Sequence, residues 1–447
     1  MRLGLPVQSC LFGAPLAVSN GSPHSLCGFG EPGTTMHDFP LTGLVLSGGG
    51  ARAAYQVGVL QALMRLRREA QGAAHGGSNP FGVIVGTSAG AINGTALACG
   101  ADQFDGAVER LAEVWRNFSA EQVYRSDSLG VAGSGARWLT MMSFGWAMAR
   151  LRPQSLLNND PLQNLLREFV PMDRLPAILG RRHLHALAVT ASSYSSGEHV
   201  TFYQSARPIE PWVRSQRIAV ATELKHQHLL ASSAIPFIFP ARQLGSETDR
   251  GWYGDGSMRQ SAPLSPAIHL GAKRLLVIGA GRMHEPQGRR APEQGYPSLA
   301  QIAGHALSSI FLDALAVDIE RMQRINRTLS LMPPESRKYS PLQPIEALVI
   351  APSQRLDDLA ARHVEDLPKP IRLLLRAVGV KQGEGQSEGQ GAALASYLLF
   401  EAPYTRALMD LGEQDTLAQK ERVLEFFGWG QAQPARAAQP AVLATGR

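Results

Sequence analysis

Two short apolar runs are each followed by a glycine-containing turn and a helix-like segment, and this repeated pattern restricts the fold most. The first run, residues 44–47, reads LVLS and enters three glycines. The second, residues 81–85, reads FGVIV and enters the segment GTSAG. Uninterrupted apolar runs of this length are typical of strands buried on both faces. Strand–helix–strand–helix order therefore predicts a parallel α/β sheet flanked by helices.

A serine lies at the turn after the second run. Residues 86–90 read GTSAG, so Ser88 stands between Gly86 and Gly90. Glycines at these positions permit the sharp strand-to-helix turn that presents a nucleophile. The turn also places Ser88 at a helix N-terminus, where partial positive charge favours a developing anion. The start of a small-residue structural helix has a similar sequence, but the preceding strand favours a catalytic serine.

Three consecutive glycines follow the first run. Gly48, Gly49 and Gly50 expose backbone N–H groups that can hold a phosphate or stabilise an oxyanion. A Walker loop needs Gly-Lys-Ser/Thr where this chain has Ala-Arg-Ala, and a dinucleotide fingerprint needs glycine at Ala53. Ser88 follows Gly50 by 38 residues, about one βαβ step. We therefore expect both turns at the same carboxyl edge of the sheet.

A carboxylate flanked by glycines completes the set. Residues 254–257 read GDGS, which places Asp255 between two glycines. Small neighbours let another backbone approach closely, which suits a base that must reach a nucleophile. Asp-Gly alone is more often only a turn. The prediction therefore rests on the three elements taken together.

In this order, the segments SGGGARAAYQVGVL, GTSAG and DGS resemble the patatin-like phospholipase family, in its bacterial members. The neighbouring segments LLASSAIPFIFPARQL, APLSPAIHLGAKRLLVIGA and SYLLFEAPYTRALMDLG agree with it. The resemblance is close over residues 42–280 and loose over the remainder. It implies an α/β, three-layer patatin-like fold with a mainly parallel central sheet flanked by helices.

The resemblance implies a Ser-Asp dyad, with Ser88 as nucleophile and Asp255 as the base that accepts its proton. The implied activity is that of a serine acyl-ester hydrolase of phospholipase A or lysophospholipase type, acting through an acyl-Ser88 intermediate. An ordinary carboxylate, with a pKa near ~4, is a weak base for a serine hydroxyl. We therefore expect burial beside the serine to raise the pKa of Asp255.

Further roles carry over to the matching positions. Gly48, Gly49 and Gly50 are expected to form the oxyanion hole, chiefly through the N–H groups of the last two. The elbow glycines are Gly86 and Gly90. Arg52, where the family commonly has a basic residue, is expected to hold a lipid phosphate. Two positions depart from the family pattern, Ala53 and Ser257, and both residues are small enough to preserve the geometry.

Composition is that of an ordinary folded protein, with 44% hydrophobic and 18% charged residues. The net charge of +6 and several arginine pairs favour a peripheral contact with an anionic membrane surface. No arginine run interleaved with aromatic residues indicates nucleic acid. Cys10, Cys27 and Cys99 lack metal-ligand spacing, so we expect no metal, no cofactor and calcium-independent chemistry.

No apolar run reaches the roughly 18 residues that span a bilayer. We therefore expect a cytoplasmic or peripheral membrane protein without a transmembrane helix, with secretion left open. The segment 128–151, rich in Trp and Met, is interpreted equally well as an interfacial lid or as a core helix.

Four segments are expected along the chain. They are a disordered leader (1–40), with Met36 as an alternative start, a patatin-like catalytic domain (41–285), a mainly helical C-terminal extension (286–430) and a disordered tail (431–447). The low hydrophobic content of the tail is the basis for the last of these. The sequence makes no prediction of oligomeric state.

Two other interpretations stay open. One is an α/β-hydrolase with a Ser-His-Asp triad that uses a histidine downstream of the Asp-Gly-Ser segment. The histidines in question are His269, His284, His305 and His363. The early glycine turn argues against this interpretation. The other is a lipid-binding or regulatory module without turnover, against which the intact Ser88 and Asp255 argue.

Overall fold

In the computed structural model of the protein, the described residues contain ten strands that form one central sheet. The structure describes residues 41–72, 77–126, 155–245, 250–283, 296–380 and 391–430. The strands are β1 (Thr42–Leu46), β2 (Val83–Thr87), β3 (Ala186–Ser193), β4 (His199–Ser205), β5 (Val213–Arg214), β6 (Arg217–Ala221), β7 (Arg242–Leu244), β8 (Gly251–Asp255), β9 (Arg274–Ile278) and β10 (Glu346–Ile350). Their order in the sheet is β10-β9-β1-β2-β3-β4-β6-β5, with β8 paired to β3 and β7 to β8.

The centre of the sheet is parallel. Strands β10, β9, β1, β2 and β3 run in one direction, and β4 pairs parallel with β6. The remaining pairings, β3 with β4, β3 with β8, β5 with β6 and β7 with β8, are antiparallel. The runs at 44–47 and 81–85 do form adjacent parallel strands, and the expected α/β fold class is confirmed.

Helices cover both faces of this sheet. They are α1 (Ala54–Gln71), α2 (Ala89–Cys99), α3 (Phe104–Arg116), α4 (Asp160–Phe169), α5 (Leu175–Gly180), α6 (His226–Ser232), α7 (Ser265–His269), α8 (Leu299–Ser308), α9 (Ala314–Leu331), α10 (Pro334–Arg337), α11 (Leu356–Ala361), α12 (Lys369–Ala377), α13 (Ala392–Leu398), α14 (Ala402–Leu417) and α15 (Lys420–Phe427). Because successive strand residues point to opposite faces, Ile84 joins the core cluster that contains Leu60 of α1, whereas Val85 joins the cluster that contains Ala267 of α7.

The C-terminal part of the chain completes this core. Strand β10, which contains the apolar run LVI at 348–350, pairs with β9, and Tyr55 of α1 donates a hydrogen bond to Asp415 of α14 at 2.9 Å. The described residues belong to one compact unit, Pro40–Arg447. The boundary expected at residue 285 falls within the range of this unit and stays a prediction. The expected leader, tail and lid segment lie outside the described residues.

Helices α8 and α9 are joined by a π-helical turn, Ser309–Asp313, into one helix of 33 residues, Leu299–Leu331. Within the part of the chain that the structure describes, this helix alone has the length and composition to cross a membrane. About 33% of its most apolar window is buried inside the protein. Core helices of other proteins meet the same test, so composition alone does not make this helix a membrane span.

Candidate active site

Ser88 is the single residue between β2 and α2. Its backbone has φ 55° and ψ −130°, in a region that residues other than glycine rarely occupy. Gly90 makes this turn sterically possible, because a Cβ there would lie 2.5 Å from the carbonyl oxygens of Leu46 and Ser47. The elbow therefore packs directly against the end of β1. Gly86 is equally confined, because a Cβ there would lie 2.4 Å from Cα of Ala91 and from the carbonyl oxygen of Gly90.

Hydrogen bonds hold the elbow in place. The N–H of Ser88 donates to Oγ of Ser232 at 2.9 Å, which ties the turn to α6. The carbonyl oxygen of Ser88 accepts the N–H of Ala91 at 2.9 Å and so opens the first turn of α2. The Ser88 residue is 1% exposed. Ser88 is therefore almost completely buried, and it lines a cavity described below.

Asp255 reaches the elbow through an antiparallel pairing. Strand β8 pairs with the end of β3 so that Asp255 lies opposite Ala191, while Thr190 of β3 lies opposite Thr87 of β2. The N–H of Asp255 donates to the carbonyl oxygen of Ala234 at 3.0 Å. These contacts fix the backbone of the carboxylate at the same sheet edge as the residue before Ser88.

The carboxylate of Asp255 is fully buried and only half satisfied. Its Oδ1 accepts the N–H of Ser257 at 2.9 Å, whereas Oδ2 has no hydrogen-bond partner among the described residues. Burial raises the pKa of Asp255 to about 6, although the nearby hydroxyls of Ser88 and Ser257 act in the opposite direction. The structure thus places Ser88 beside a carboxylate with a raised pKa and one unoccupied oxygen.

The glycine turn lies directly after β1. Gly50 has φ 56°, and a Cβ there would lie 2.3 Å from the carbonyl oxygen of Tyr397. Within the described chain, the N–H groups of Gly48, Gly49 and Gly50 have no hydrogen-bond acceptor. Since Gly90 touches the carbonyl of Ser47, the glycine turn and the serine elbow are in contact. Unpaired N–H groups beside a nucleophile can stabilise an oxyanion.

An apolar cavity of about 270 Å³ begins at Ser88 and Gly50. Its walls come from α2, α3 and α4, with further apolar side chains from the segments after α6 and before α14. Phe239 and Phe400 are among the latter. A cavity with this lining suits an acyl chain better than a polar substrate.

Comparison with known proteins gives the family. The model of the family described as Patatin-like phospholipase matches residues 44–268, about half of the chain. The chain belongs to the patatin-like phospholipase family. No match is found among the curated proteins.

Three solved structures illustrate how distant this patatin-like protein is from its structural neighbours. VipD from Legionella pneumophila shares 13% identity over 83% of this chain and 67% of its own, with a TM-score of 0.29. Human GIVD cytosolic phospholipase A2 shares 11% over 88% of this chain and 60% of its own, with a TM-score of 0.42. The type III effector ExoU shares 17% over 90% and 91%, with a TM-score of 0.24. The chain thus spans about 60% of the human enzyme's length.

Arg52 does not face the cavity, contrary to the expectation that it holds a lipid phosphate. Its side chain is 2% exposed, and its guanidinium donates to Asp357 of α11 and to Oγ of Ser396 at 2.8 Å. It also lies 4.0 Å above the ring of Tyr397. All of these partners come from the C-terminal part of the chain. The structure therefore assigns Arg52 to the attachment of that part to the glycine turn.

A buried polar network beside the glycine turn of this patatin-like protein was not predicted from the sequence. Nε2 of Gln56 donates to the carbonyl oxygen of Ser47 at 2.8 Å, and Nδ2 of Asn93 donates to Oε1 of Gln56 at 3.0 Å. The indole of Trp115 donates to Oδ1 of Asn93 at 2.9 Å. The network links the glycine turn to α2 and α3. The signal for it was a polar residue at a core position of an otherwise apolar helix, as at Gln56.

No histidine in the described residues lines the cavity at Ser88. His269 stacks on Trp212 with 4.8 Å between ring centroids, His363 pairs with Asp366 at 2.9 Å, and His305 lies in α8. His284 lies outside the described residues. These positions give no support to the alternative with a catalytic triad.

No group of three or more His, Cys, Asp or Glu side chains suited to a metal ion is present in the described parts of the chain. The groups around Ser88 are instead a carboxylate, several hydroxyls and backbone N–H groups. This set of groups fits acyl transfer by a serine nucleophile.

Proposed function

We propose that this protein is a serine acyl-ester hydrolase of the phospholipase A or lysophospholipase type, with Ser88 and Asp255 as a catalytic dyad. Membership of the patatin-like phospholipase family supports hydrolysis of lipid esters. The observation that carries the assignment of residues is the strained elbow at Ser88 beside the fully buried Asp255. Such a pairing of a nucleophile with a base of raised pKa is typical of acyl-transfer sites.

The proposed reaction begins when Asp255 accepts the proton of the Ser88 hydroxyl. Oγ of Ser88 attacks the ester carbonyl, and the N–H groups of Gly49 and Gly50 donate to the developing oxyanion, with Gly48 adjoining them. The tetrahedral intermediate collapses, the alcohol leaves with the proton from Asp255, and acyl-Ser88 remains. Asp255 then removes a proton from water, which attacks the acyl carbonyl to form a second tetrahedral intermediate. This intermediate collapses to the fatty acid, and the departing Oγ of Ser88 takes the proton back from Asp255.

Because a carboxylate is a weak base, this mechanism depends strongly on stabilisation of the transition state by the oxyanion hole. With a pKa of about 6, Asp255 is a stronger base than an exposed carboxylate but still a weak one for a hydroxyl. Loss of one oxyanion donor in other enzymes lowers the rate by about 10²–10³. The unpaired N–H groups of the glycine turn are therefore as important to this mechanism as the base.

The proposed substrate is a phospholipid or lysophospholipid at a membrane surface. The apolar cavity at Ser88 fits an acyl chain, and the net charge of +6 favours approach to anionic lipid. The protein would bind the membrane peripherally. Arg52 has no part in substrate binding in this proposal, because its partners within the protein occupy it.

Release of fatty acid from mixed phospholipid and lysophospholipid vesicles tests this function. We expect Ser88→Ala and Asp255→Asn to lose at least about 10³ of the wild-type rate, since general base and nucleophile act together. Ser336→Ala, a change on the exposed helix α10, is the matched control and should retain full activity. Wild-type activity in Ser88→Ala would show that the nucleophile is another residue.

A further inference from the structure

We propose that α2 forms the floor of an acyl-chain channel that measures substrate length and accommodates about 13 carbon atoms beyond the ester. This inference rests on the proposed function for its substrate, and it adds a chain-length preference. The cavity at Ser88 extends away from the nucleophile along one helix, and the residues that line it come from the full length of that helix.

One stripe of α2 faces the channel. The residues of this stripe that line the cavity are Ala89, Ile92, Ala96 and Cys99. Their spacing of three, four and three residues follows a single face of an α-helix. Three of the four are small, so the groove above the helix is deep enough for a chain. The channel therefore runs parallel to the axis of α2.

Helix α3 forms the wall of the channel that faces α2, and it runs antiparallel to α2. At the far end, a Cβ on Gly100 would lie 2.6 Å from Cβ of Ala107, near the start of α3. Towards Ser88, the indole of Trp115 near the end of α3 donates to Asn93 of α2. Helices α2 and α3 are thus antiparallel neighbours. Leu111, midway along α3, lines the middle of the channel.

The helix gives the channel a length. From Ser88 to Cys99 the chain advances 11 residues, which at about 1.5 Å per residue is roughly 16 Å. Carbon–carbon bonds of about 1.5 Å with angles near 111° give an extended alkyl chain roughly 1.25 Å per carbon. The apolar stretch of the channel therefore holds about 13 carbons beyond the carbonyl group, which corresponds to an acyl chain of about 14 carbons.

The far end of the channel is polar. Exposed Arg110 lies there, since its Nη2 would be 3.2 Å from a Cβ on Gly100, and Arg174, which also lines the cavity, forms an ion pair with Asp102 at 2.7 Å. Methylene groups that pass this point exchange water for charged side chains, and so gain little from burial. Affinity should therefore rise with chain length up to this point and then level off.

Fatty-acid binding to Ser88→Ala tests the channel without requiring catalysis. We expect the dissociation constants of saturated fatty acids from 8 to 18 carbons to fall by up to about fourfold per added carbon. The decrease should end near 14 carbons. Wild-type kcat/KM on p-nitrophenyl esters of the same acids should show a break at the same length.

Ala96→Phe should move this break. Ala96 is half-buried in the channel wall, 8 residues or about 12 Å from Ser88, so a phenyl ring there should end the gain near 10 carbons. The control Ala177→Phe adds the same ring on the exposed face of α5 and should leave the break near 14. Val114→Phe, on α3, is a second obstruction if the first variant fails to fold.

The outcomes separate the channel from the catalytic proposal. If the wild type hydrolyses no ester but Ser88→Ala still shows the break near 14 carbons, the proposed function fails and the channel stands. If esters are hydrolysed but affinity rises evenly to 18 carbons, the channel proposal is wrong. An identical break in the wild type, Ala96→Phe and Val114→Phe would overturn it as well.

Discussion

The fold holds the backbone of Ser88 in an unfavourable conformation and the carboxylate of Asp255 in an environment that disfavours its charged form. Ser88 has a positive φ that costs on the order of 1–3 kcal/mol, and Asp255 carries its carboxylate where burial disfavours charge. Both residues lie at the ends of strands whose neighbours fix the backbone. Interactions in the rest of the fold therefore offset the free-energy cost of the strained Ser88 backbone and the desolvated Asp255 carboxylate.

The raised pKa of Asp255 predicts a pH dependence. The base acts only when deprotonated, so kcat/KM on a soluble ester should rise through pH about 6 and level off above about 7. An ordinary exposed carboxylate would give a plateau already above about pH 5. His269→Ala and His363→Ala serve as controls and should keep the same midpoint. A flat profile from pH 5 to 8, or a midpoint that moves in either histidine variant, would contradict the assignment.

The residue types at the site were predictable from local sequence, but the partners of Arg52 were not. The elbow and the glycine turn are local structures, so Ser88 and Gly50 can be identified from their immediate neighbours. Arg52 contacts Asp357 and Ser396, more than 300 residues away, and no local pattern indicates such pairs. The sequence therefore predicted that the Arg52 side chain is accessible to a lipid phosphate, whereas in the structure it forms a buried ion pair with Asp357.

At the scale of elements, β8 carries the third motif to the site in a way that the sequence did not indicate. A parallel sheet collects the turns after β1 and β2 at one edge, which the strand pattern predicts. Strand β8 instead pairs antiparallel with the end of β3 beyond β2. The short motif around Asp255 specifies a turn but no strand partner, so its place in the sheet depends on the tertiary fold.

The contact between α11 and the glycine turn predicts a stability effect. Asp357→Asn leaves the buried guanidinium of Arg52 without its counter-charge, which should lower the free energy of unfolding by about 3 kcal/mol in urea titration. Because Arg52 lies two residues after Gly50, kcat should also fall while KM changes less. Glu413→Gln, in the exposed pair with Arg65, is the control and should cost less than about 1 kcal/mol. Equal effects in the two variants would show that the Arg52 ion pair is no more important than a surface pair.

At the scale of the whole molecule, the sheet is completed by two strands from outside the matched family region. The family match ends at residue 268, whereas β9 and β10 follow it and extend the parallel sheet. Strand β10 was visible in the sequence as a late apolar run. Its position next to β9 was not, because the intervening residues give no signal for which strand it joins.

The long helix Leu299–Leu331 makes the type of membrane contact testable. If the protein is peripheral, as we propose, vesicles containing anionic lipid should bind it at low salt and release it in 1 M NaCl, where screening removes most of the attraction to its net charge of +6. Binding to zwitterionic vesicles should be weaker throughout. Co-sedimentation measures both. Retention in 1 M NaCl would indicate that this helix or another apolar segment inserts into the bilayer.

Covalent labelling with a long-chain alkyl fluorophosphonate tests the dyad most directly. Oγ of Ser88 should attack phosphorus, expel fluoride and leave a phosphonyl adduct that peptide mass spectrometry locates. We predict labelling of the wild type at Ser88, none at this position in Ser88→Ala, and labelling slower by at least about 10² in Asp255→Asn. An adduct on a different residue, or an undiminished rate in Asp255→Asn, would contradict the account of a serine nucleophile activated by Asp255.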